Sequence, residues 1–178
     1  MPTFRWATLD DIPAISALMA RAIDGLQNEV LTPEQVRASR LVMGLDRRLV
    51  ADGTYLLAEV DGTLVGCGGW SQRATLFGGD TGVVPREPRL LDPEAEPARI
   101  RAMYTDPAHV RRGIGRAILH ECEQAARAAG FSHAELMATL AGVPLYGACG
   151  YITVEGIEAD ADGVAVPLVR MTRRLAPG

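Results

Sequence analysis

Hydrophobic residues recur at helical spacing in two long stretches of the chain. The first starts at Thr8, a helix-capping residue, and we expect its helix to end at Gly25. The second opens at Gly113 and closes at Gly130, a glycine in the usual position after a helix. Shorter helices are predicted over residues 32–40, 46–51 and 143–149.

Seven further segments have the apolar patterns of β-strands. They are residues 4–7, 55–60, 63–71, 98–105, 133–138, 151–157 and 164–174. Asp61-Gly62 and Asp162-Gly163 are turn dipeptides typical of β-hairpins, and each joins two of these strands. Helices separate the other strands, with one strand–helix–strand crossover near the middle. The pattern therefore predicts a mixed α/β (α+β) fold, with a sheet of about seven strands flanked by helices.

Residues 75–97 interrupt these patterns with a high density of glycine and proline. Such a composition predicts a long irregular loop, and loops of this length in compact domains are usually functional or mobile. The other interpretation is a linker between two domains, but neither flanking segment looks complete as a domain. If it is a loop, it either folds over the substrate cleft or lies on the surface or against a partner subunit.

Composition limits the class of protein. The chain has 178 residues, 48% of them hydrophobic, and a net charge of −4, so we expect one domain over residues 1–178 that binds no nucleic acid. Its three cysteines are far apart and form no CxxC pair, which indicates neither a zinc site nor a disulfide framework. The start of the chain does not resemble a signal peptide, and no apolar stretch reaches membrane-spanning length. We expect a soluble, cytoplasmic protein with no membrane partner.

The segment 103–116 combines the end of a strand with a glycine-rich turn that opens into a helix. The first N–H groups of such a helix are unpaired and carry partial positive charge, and Arg111, Arg112 and Arg116 surround them. This predicts a phosphate or pyrophosphate site. A Walker loop is absent, and Ile118 occupies the third-glycine position of a dinucleotide-binding fingerprint. The alternative is a tight turn before a surface helix, with solvated arginines.

The same segment resembles motif A of the GCN5-related N-acetyltransferase (GNAT) superfamily. That motif is a strand, a proline and then Arg/Gln-x-x-Gly-x-Gly/Ala opening a helix, and the match covers residues 98–130. Val110 stands at the Arg/Gln position, whose role in the family is largely through backbone N–H groups. A second match, residues 143–151, resembles the late LYxxxGF segment. The resemblance covers most of the chain and implies the GNAT fold, with a central mixed, mostly antiparallel sheet.

The resemblance also implies acetyl-CoA as co-substrate, with no metal. Pantetheine would pair with the strand backbone of Met103, Tyr104 and Thr105. Thr139 stands where the family often has an asparagine that contacts the cofactor. The residues implied to hold the pyrophosphate form the turn and the start of the helix, and they are Arg111, Arg112, Gly113, Ile114, Gly115 and Arg116.

Two side chains are candidates for proton transfer. Tyr146 matches the general acid of the family, and a phenol can protonate a departing thiolate. Its alternative role is packing in the core. Glu135 is the candidate general base, because some family members carry a glutamate on this strand, and its alternative is an exposed strand carboxylate. Asp106 and His109 are expected to shape the cofactor turn.

The function implied by the resemblance is acetyl transfer from acetyl-CoA to a primary amine of a small molecule or peptide, by direct attack in a ternary complex. Two other classes stay open: a non-catalytic acyl-CoA-binding or sensing module with the same fold, and a nucleotide-binding regulatory domain. Acceptor groups are expected near residues 25–53, 70–73 and 75–97, which carry both signs of charge. A homodimer is possible, because dimers are common in the family.

Overall fold

Seven strands form one sheet in the computed structural model, which describes residues 1–175 and 177. The strands are β1 (Thr3–Trp6), β2 (Tyr55–Val60), β3 (Thr63–Ser71), β4 (Ala98–Thr105), β5 (His133–Thr139), β6 (Ile152–Ala161) and β7 (Val164–Arg174). Their order across the sheet is β1-β2-β3-β4-β5-β7-β6. Neighbouring strands are antiparallel except β4 and β5, which are parallel. The predicted mixed, mostly antiparallel sheet is confirmed.

Helices cover both faces of the sheet. They are α1 (Ile12–Leu26), α2 (Pro33–Ser39), α3 (Arg47–Ala51), α4 (Ile114–Ala128) and α5 (Val143–Ala148). On one face, which we call the α1 layer, Ile15 and Leu18 pack against Tyr55 and Cys67. On the other face, the α4 layer, buried side chains of α4 such as Ile118 pack against the sheet. Among the described residues, no helix is long and apolar enough to span a membrane.

The predicted start of α2 is confirmed by its hydrogen bonds, whereas α1 begins later than predicted. At α2, Thr32 Oγ1 accepts from Gln35 N at 3.1 Å, and Thr32 N donates to Gln35 Oε1 at 3.1 Å. Thr8 precedes a short 3-10 turn, Leu9–Asp11, and Thr8 N donates to the Asp11 carboxylate at 2.7 Å. The helix α1 follows this turn, three residues after the predicted start. In both places a polar side chain satisfies an N–H group that has no partner within the first turn.

Several predicted boundaries differ from the structure by a few residues, and two of these differences have a clear physical reason. Helix α1 does not end at Gly25 but continues to Leu26. The glycine instead permits close packing, because a Cβ there would lie 2.7 Å from Pro107 Cγ. The strand predicted over residues 151–157 runs from Ile152 to Ala161, since its second half, which contains Glu158 and Asp160, still pairs with β7.

The segment between β3 and β4 is irregular, as predicted, but it is anchored along its length. An isolated bridge joins Arg73 and Leu90, and Leu91 is buried in the α4 layer. Near the tip, Asp80 N donates to Leu45 O at 2.8 Å, which places the loop against the segment between α2 and α3. The loop therefore folds back over the α1 layer of the sheet.

The parallel strands β4 and β5 pair only at their first residues. Ala98 pairs with Ala134 and Arg99 with Glu135, and no later pair joins the two strands within the described part of the chain. Both strands continue for several more residues, to Thr105 and Thr139. The sheet therefore has a gap in its middle, and the candidate site lies in this gap.

Candidate functional site

A cavity of about 950 Å³ occupies the gap between β4 and β5. Its walls include Ile100 and Leu136, which belong to the α4 layer, and Ala102 and Tyr104, which belong to the α1 layer. The cavity is therefore lined from both faces of the sheet. Its volume lies within the range of roughly 300–1,000 Å³ that is usual for ligand sites.

The N-terminus of α4 forms one end of the cavity. Arg111 and Gly113 both have positive φ angles, 61° and 80°, and they turn the chain sharply into the helix. No side chain caps α4, and the first bond back to this turn is from Ala117 N to Gly113 O at 3.0 Å. The preceding N–H groups have no partner within the helix, and the dipole adds positive charge there. This end of the cavity is suited to a phosphate anion.

Asp106 holds the turn that leads from β4 to α4. Its carboxylate accepts hydrogen bonds from Ala108 N at 2.9 Å and from Arg21 Nε at 3.0 Å. His109 Nδ1 lies 3.5 Å from the same carboxylate and has no hydrogen-bond partner among the described residues. These contacts fit the turn-shaping role expected for Asp106 and His109.

A bulge in β4 lies on the cavity wall. Cys67 pairs with Tyr104 and Gly69 with Arg101, so Ala102 and Met103 together oppose a single residue of β3. Ala102 has a φ of +50°, a left-handed conformation that costs an L-residue about 1–2 kcal/mol. Such bulges redirect the backbone of a strand, here at the edge that faces the gap.

Tyr146 lines the cavity from α5. Its ring packs edge-on against Tyr151, with ring centroids 6.0 Å apart. Burial raises the pKa of Tyr146 above its ordinary value of 10. The phenol therefore keeps its proton at neutral pH and is free to donate it into the cavity.

Thr139 lies where β5 ends and the chain turns toward α5. Its Oγ1 accepts a hydrogen bond from Gly142 N at 3.2 Å, which fixes this turn. A hydroxyl that accepts one bond still has its own proton to donate. Thr139 also lines the cavity, so that proton is available to a bound ligand.

Most of the residues predicted for the site meet at this cavity, and two do not. Arg112 and Glu135 are absent from its lining. The predicted site residues that do line it are Met103, Tyr104, Thr105, Arg111, Gly113, Ile114, Gly115, Arg116, Thr139 and Tyr146.

Glu135 is instead bound in ion pairs. Its carboxylate lies 3.1 Å from Arg170 Nη1 and 3.5 Å from Arg99 Nη1, where β4 and β5 still pair. The two arginines occupy the carboxylate oxygens, so Glu135 is suited to holding three strands together. Its role as general base stays a prediction, to which this geometry adds no support.

The α1 layer contributes a second part of the cavity wall, which the sequence located only broadly. Its lining residues come from the end of α1 and the segment after it, the segment between α2 and α3, the long loop and β7. They are Leu26, Gln27, Glu29, Met43, Gly44, Leu76, Phe77, Gly78 and Leu168. Residues 70–73, also expected here, lie elsewhere: Trp70 packs on Phe131 in the α4 layer, and Arg73 pairs with Asp52.

Arg101 fixes the loop against this part of the cavity, and sequence reasoning missed it. The side chain is 3% exposed, pairs with Asp46 at 3.1 Å and donates to Gly78 O at 2.8 Å. Burial lowers the pKa of Arg101, an effect that Asp46 opposes. One feature of the sequence could have indicated its role: it is an arginine within a predicted strand whose other residues are mostly apolar. No feature of the sequence indicated that Leu168 would line the cavity.

Among the described residues, no group of three or more His, Cys, Asp or Glu side chains is arranged to hold a metal ion.

Comparison with known proteins identifies the family. The model of the acetyltransferase (GNAT) family matches residues 19–151. No curated protein matches the chain. Among solved structures, a GCN5-related N-acetyltransferase from Rhodopseudomonas palustris has 20% identity and a TM-score of 0.73, with 98% of this chain and 96% of that chain covered.

Two other similar structures were determined with a coenzyme. The PaiA N-acetyltransferase from Thermoplasma acidophilum, in complex with coenzyme A, has 15% identity and a TM-score of 0.64, covering 98% of this chain and 99% of that one. YncA from Salmonella typhimurium, with its cofactor acetyl-CoA, has 20% identity and a TM-score of 0.64, covering 100% and 96%. At these identities the structures support the fold alone. The family model covers most of the chain, and the chain therefore belongs to the GNAT family of acetyltransferases.

Proposed function

We propose that this protein transfers the acetyl group of acetyl-CoA to a primary amine of a small molecule or peptide, by direct attack in a ternary complex. The observation that carries the proposal is the cavity between β4 and β5. It has an anion-binding helix end at one extremity and a separate wall built by α1, the long loop and β7. Two substrates can therefore approach one point from different sides of the sheet.

The two arms of the cavity suit different substrates. The start of α4, with Arg111 and Arg116, fits the pyrophosphate of acetyl-CoA. The edge of β4 that faces the gap offers backbone groups to the pantetheine amides, since it is unpaired with β5 beyond Arg99 in the described structure. The wall on the α1 layer, with Leu26, Met43 and Phe77, is left for the acceptor.

The chemistry requires one bond to form and one to break. The neutral amine nitrogen attacks the thioester carbonyl carbon, the carbon–sulfur bond breaks, and the amine loses a proton to solvent. Tyr146 gives its proton to the departing thiolate and regains one from water. A hydrogen bond from backbone N–H to the thioester carbonyl would lower the barrier, because negative charge develops on that oxygen.

A screen that measures thiol release tests the function. The protein is incubated with acetyl-CoA and a broad panel of amines, and free coenzyme A is measured against reactions lacking amine. We expect release with a subset of the amines and acetylated product by mass spectrometry. Tight acetyl-CoA binding with no release across the panel would indicate the non-catalytic binding module. Thermal stabilisation by ATP or NAD equal to that by CoA would indicate the nucleotide-binding domain.

The charges on the acceptor wall favour a cationic acceptor. Glu29 is the one carboxylate on the cavity lining within the described residues, and it forms no ion pair there. The other charged group on this wall, Arg101, is already neutralised by Asp46. We therefore infer that the acceptor carries a second positive charge besides its reacting amine, and that Glu29 binds this charge.

Glu29→Gln should raise KM for dicationic acceptors about 3- to 10-fold and leave KM for acetyl-CoA unchanged, since an exposed ion pair contributes about 1 kcal/mol. The matched control is Glu34→Gln, which removes another exposed carboxylate outside the cavity. Steady-state kinetics with a diamine and its monoamine analogue provide the measurement. An equal effect on both amines would show that Glu29 does not bind the second charge.

Phe77 tests whether the long loop helps to select the acceptor. Phe77→Ala removes a ring from the acceptor wall, so the acceptor would bury roughly 50 Å² or more less apolar surface on binding. We therefore expect KM for the acceptor to rise about 10-fold. Acetyl-CoA binding should not change. Val83→Ala, an exposed loop position outside the cavity lining, is the control. Unaltered acceptor kinetics in a folded Phe77→Ala protein would exclude a selective role for this wall of the loop.

A further inference from the structure

We propose that Tyr55 is a positioning residue for acetyl transfer. Its hydroxyl holds the peptide group between Ala102 and Met103 so that Met103 N–H points into the gap, where it donates a hydrogen bond to the thioester carbonyl. The proposal rests on the function proposed above, and the experiment below separates the failure of one from the failure of the other.

The hydroxyl of Tyr55 lies at the centre of a small buried cluster. Tyr55 is 1% exposed, and its Oη donates to Ala102 O at 2.6 Å. Cys67 Sγ lies 3.2 Å from the same Oη. A phenol has a single proton, and it goes to the carbonyl oxygen, which is the stronger acceptor and the nearer of the two. Burial raises the pKa of Cys67 to about 12, which keeps its thiol protonated.

Ala102 needs such an anchor because of its backbone conformation. It has a φ of +50° at the first position of the bulge, where glycine is the usual residue. On the opposite strand, a Cβ at Gly68 would meet the side chain of Met103, so the two residues pack closely across the bulge. The bond from Tyr55 therefore holds a conformation that alanine does not favour by itself.

The direction of Met103 N–H follows from the direction of the Ala102 carbonyl. The chain has no cis peptide among the described residues, and a planar trans peptide directs its C=O and N–H to opposite sides. Tyr55 belongs to β2, which lies beyond β3 from the gap, and its ring packs in the α1 layer. Met103 N–H therefore points away from β3 and toward the gap and the α4 layer.

This N–H faces the place where the thioester is expected. Met103 lines the cavity, as do Tyr146 and the start of α4. A donor fixed in place before the reaction stabilises the oxyanion that forms when the amine attacks, without any rearrangement at that moment. Tyr55 itself is absent from the cavity lining, so it acts through the peptide and does not touch the substrate.

The test is the infrared carbonyl band of acetyl-[1-¹³C]-CoA bound to the protein. In the wild-type protein we expect the band below its position in water, because a hydrogen bond weakens the C=O bond. In Tyr55→Phe we expect it to move at least about halfway back, and turnover to fall about 10-fold, which is less than the 10²- to 10³-fold typical when a donor is removed outright. KM for acetyl-CoA should change less than about 3-fold, since the pyrophosphate contacts remain.

Tyr151→Phe is the matched control. It removes the hydrogen bond from another buried tyrosine, at 2.9 Å to Glu123, and lies outside the cavity lining. A merely structural role for Tyr55 would give both variants the same carbonyl band and similar losses in thermal stability. An unchanged band in folded Tyr55→Phe overturns the proposal. A wild-type protein that shows no bound band at all contradicts the proposed function instead.

If Tyr55→Phe does not fold, the same substitution can be tested in a protein that also carries Ala102→Gly. Ala102→Gly relieves the backbone strain, because glycine adopts positive φ without steric cost. When Tyr55→Phe is added to Ala102→Gly, the carbonyl band should still move toward its position in water. The shift should be smaller than the one that Tyr55→Phe causes by itself. Identical bands for Ala102→Gly with and without Tyr55→Phe overturn the proposal.

Discussion

Tyr146→Phe should lower turnover by about 10²- to 10⁴-fold with little change in the affinity for acetyl-CoA. The variant keeps the ring that packs edge-on against Tyr151 and removes the one proton donor that the phenol supplies. The departing thiolate then has to take its proton from water. Turnover is measured as thiol release with an amine identified by the screen, and affinity by calorimetric titration with acetyl-CoA.

The pH dependence of turnover also tests the role of Tyr146. Burial raises the pKa of Tyr146 above 10, so the protonated form that acts as an acid persists as the pH rises. We therefore expect no loss of wild-type turnover from Tyr146 below about pH 10. Tyr151→Phe, which changes the neighbouring ring, serves as the control. Turnover of Tyr146→Phe equal to that of the wild type would remove this phenol from the mechanism.

Gly113→Val should abolish the thermal stabilisation that acetyl-CoA provides. A Cβ at Gly113 meets no protein atom within 4 Å, so the added side chain would occupy the open space in front of the α4 N-terminus, where the pyrophosphate is expected to bind. At 100 times the Kd, a ligand stabilises the folded protein by about 2.7 kcal/mol. For a chain of this length that is roughly 5–10 °C in Tm, and we expect it to be lost.

The control for Gly113→Val must reproduce its backbone strain. Gly163 has a φ of +89°, close to the +80° of Gly113, and it also has open space around it. Gly163→Val should lower the Tm of the free protein by an amount similar to Gly113→Val, because both put a β-branched residue at positive φ. It should nevertheless keep the full stabilisation by acetyl-CoA. Equal stabilisation of both variants would mean that the pyrophosphate binds elsewhere.

The sequence predicted the elements of the fold well because their signals are local. Thr32 and Gln35 mark the start of a helix within four residues, and Asp61-Gly62 marks a hairpin by itself. The boundaries that were wrong depend on distant partners. Gly25 resembles a helix end, and only its approach to Pro107, far along the chain, shows that it serves packing instead.

The same distinction applies to the site. The turn from Arg111 to Arg116 carries its chemistry in consecutive residues, so the sequence alone predicts a phosphate site there, and that role stays a prediction. The partners of Glu135 come from two other strands, and no pattern near Glu135 indicates that Arg99 and Arg170 will surround it. Tyr55 is still harder to find, because its importance depends on a bulge two strands away that no sequence pattern reveals.

The gap between β4 and β5 has a consequence for how the protein unfolds. It divides the sheet into β1–β4 and β5–β7, and these halves share two backbone residue pairs at the base of the gap. Side chains of the α4 layer still pack across both halves, but the strand edges along the gap have no backbone partners among the residues that the structure describes, and such edges are places of local opening. A substrate whose amides bond to the strand edges would act as a missing strand and link the halves. Cooperativity of the whole domain is therefore expected to increase with acetyl-CoA concentration, so that supply of the acetyl donor also governs resistance to local opening.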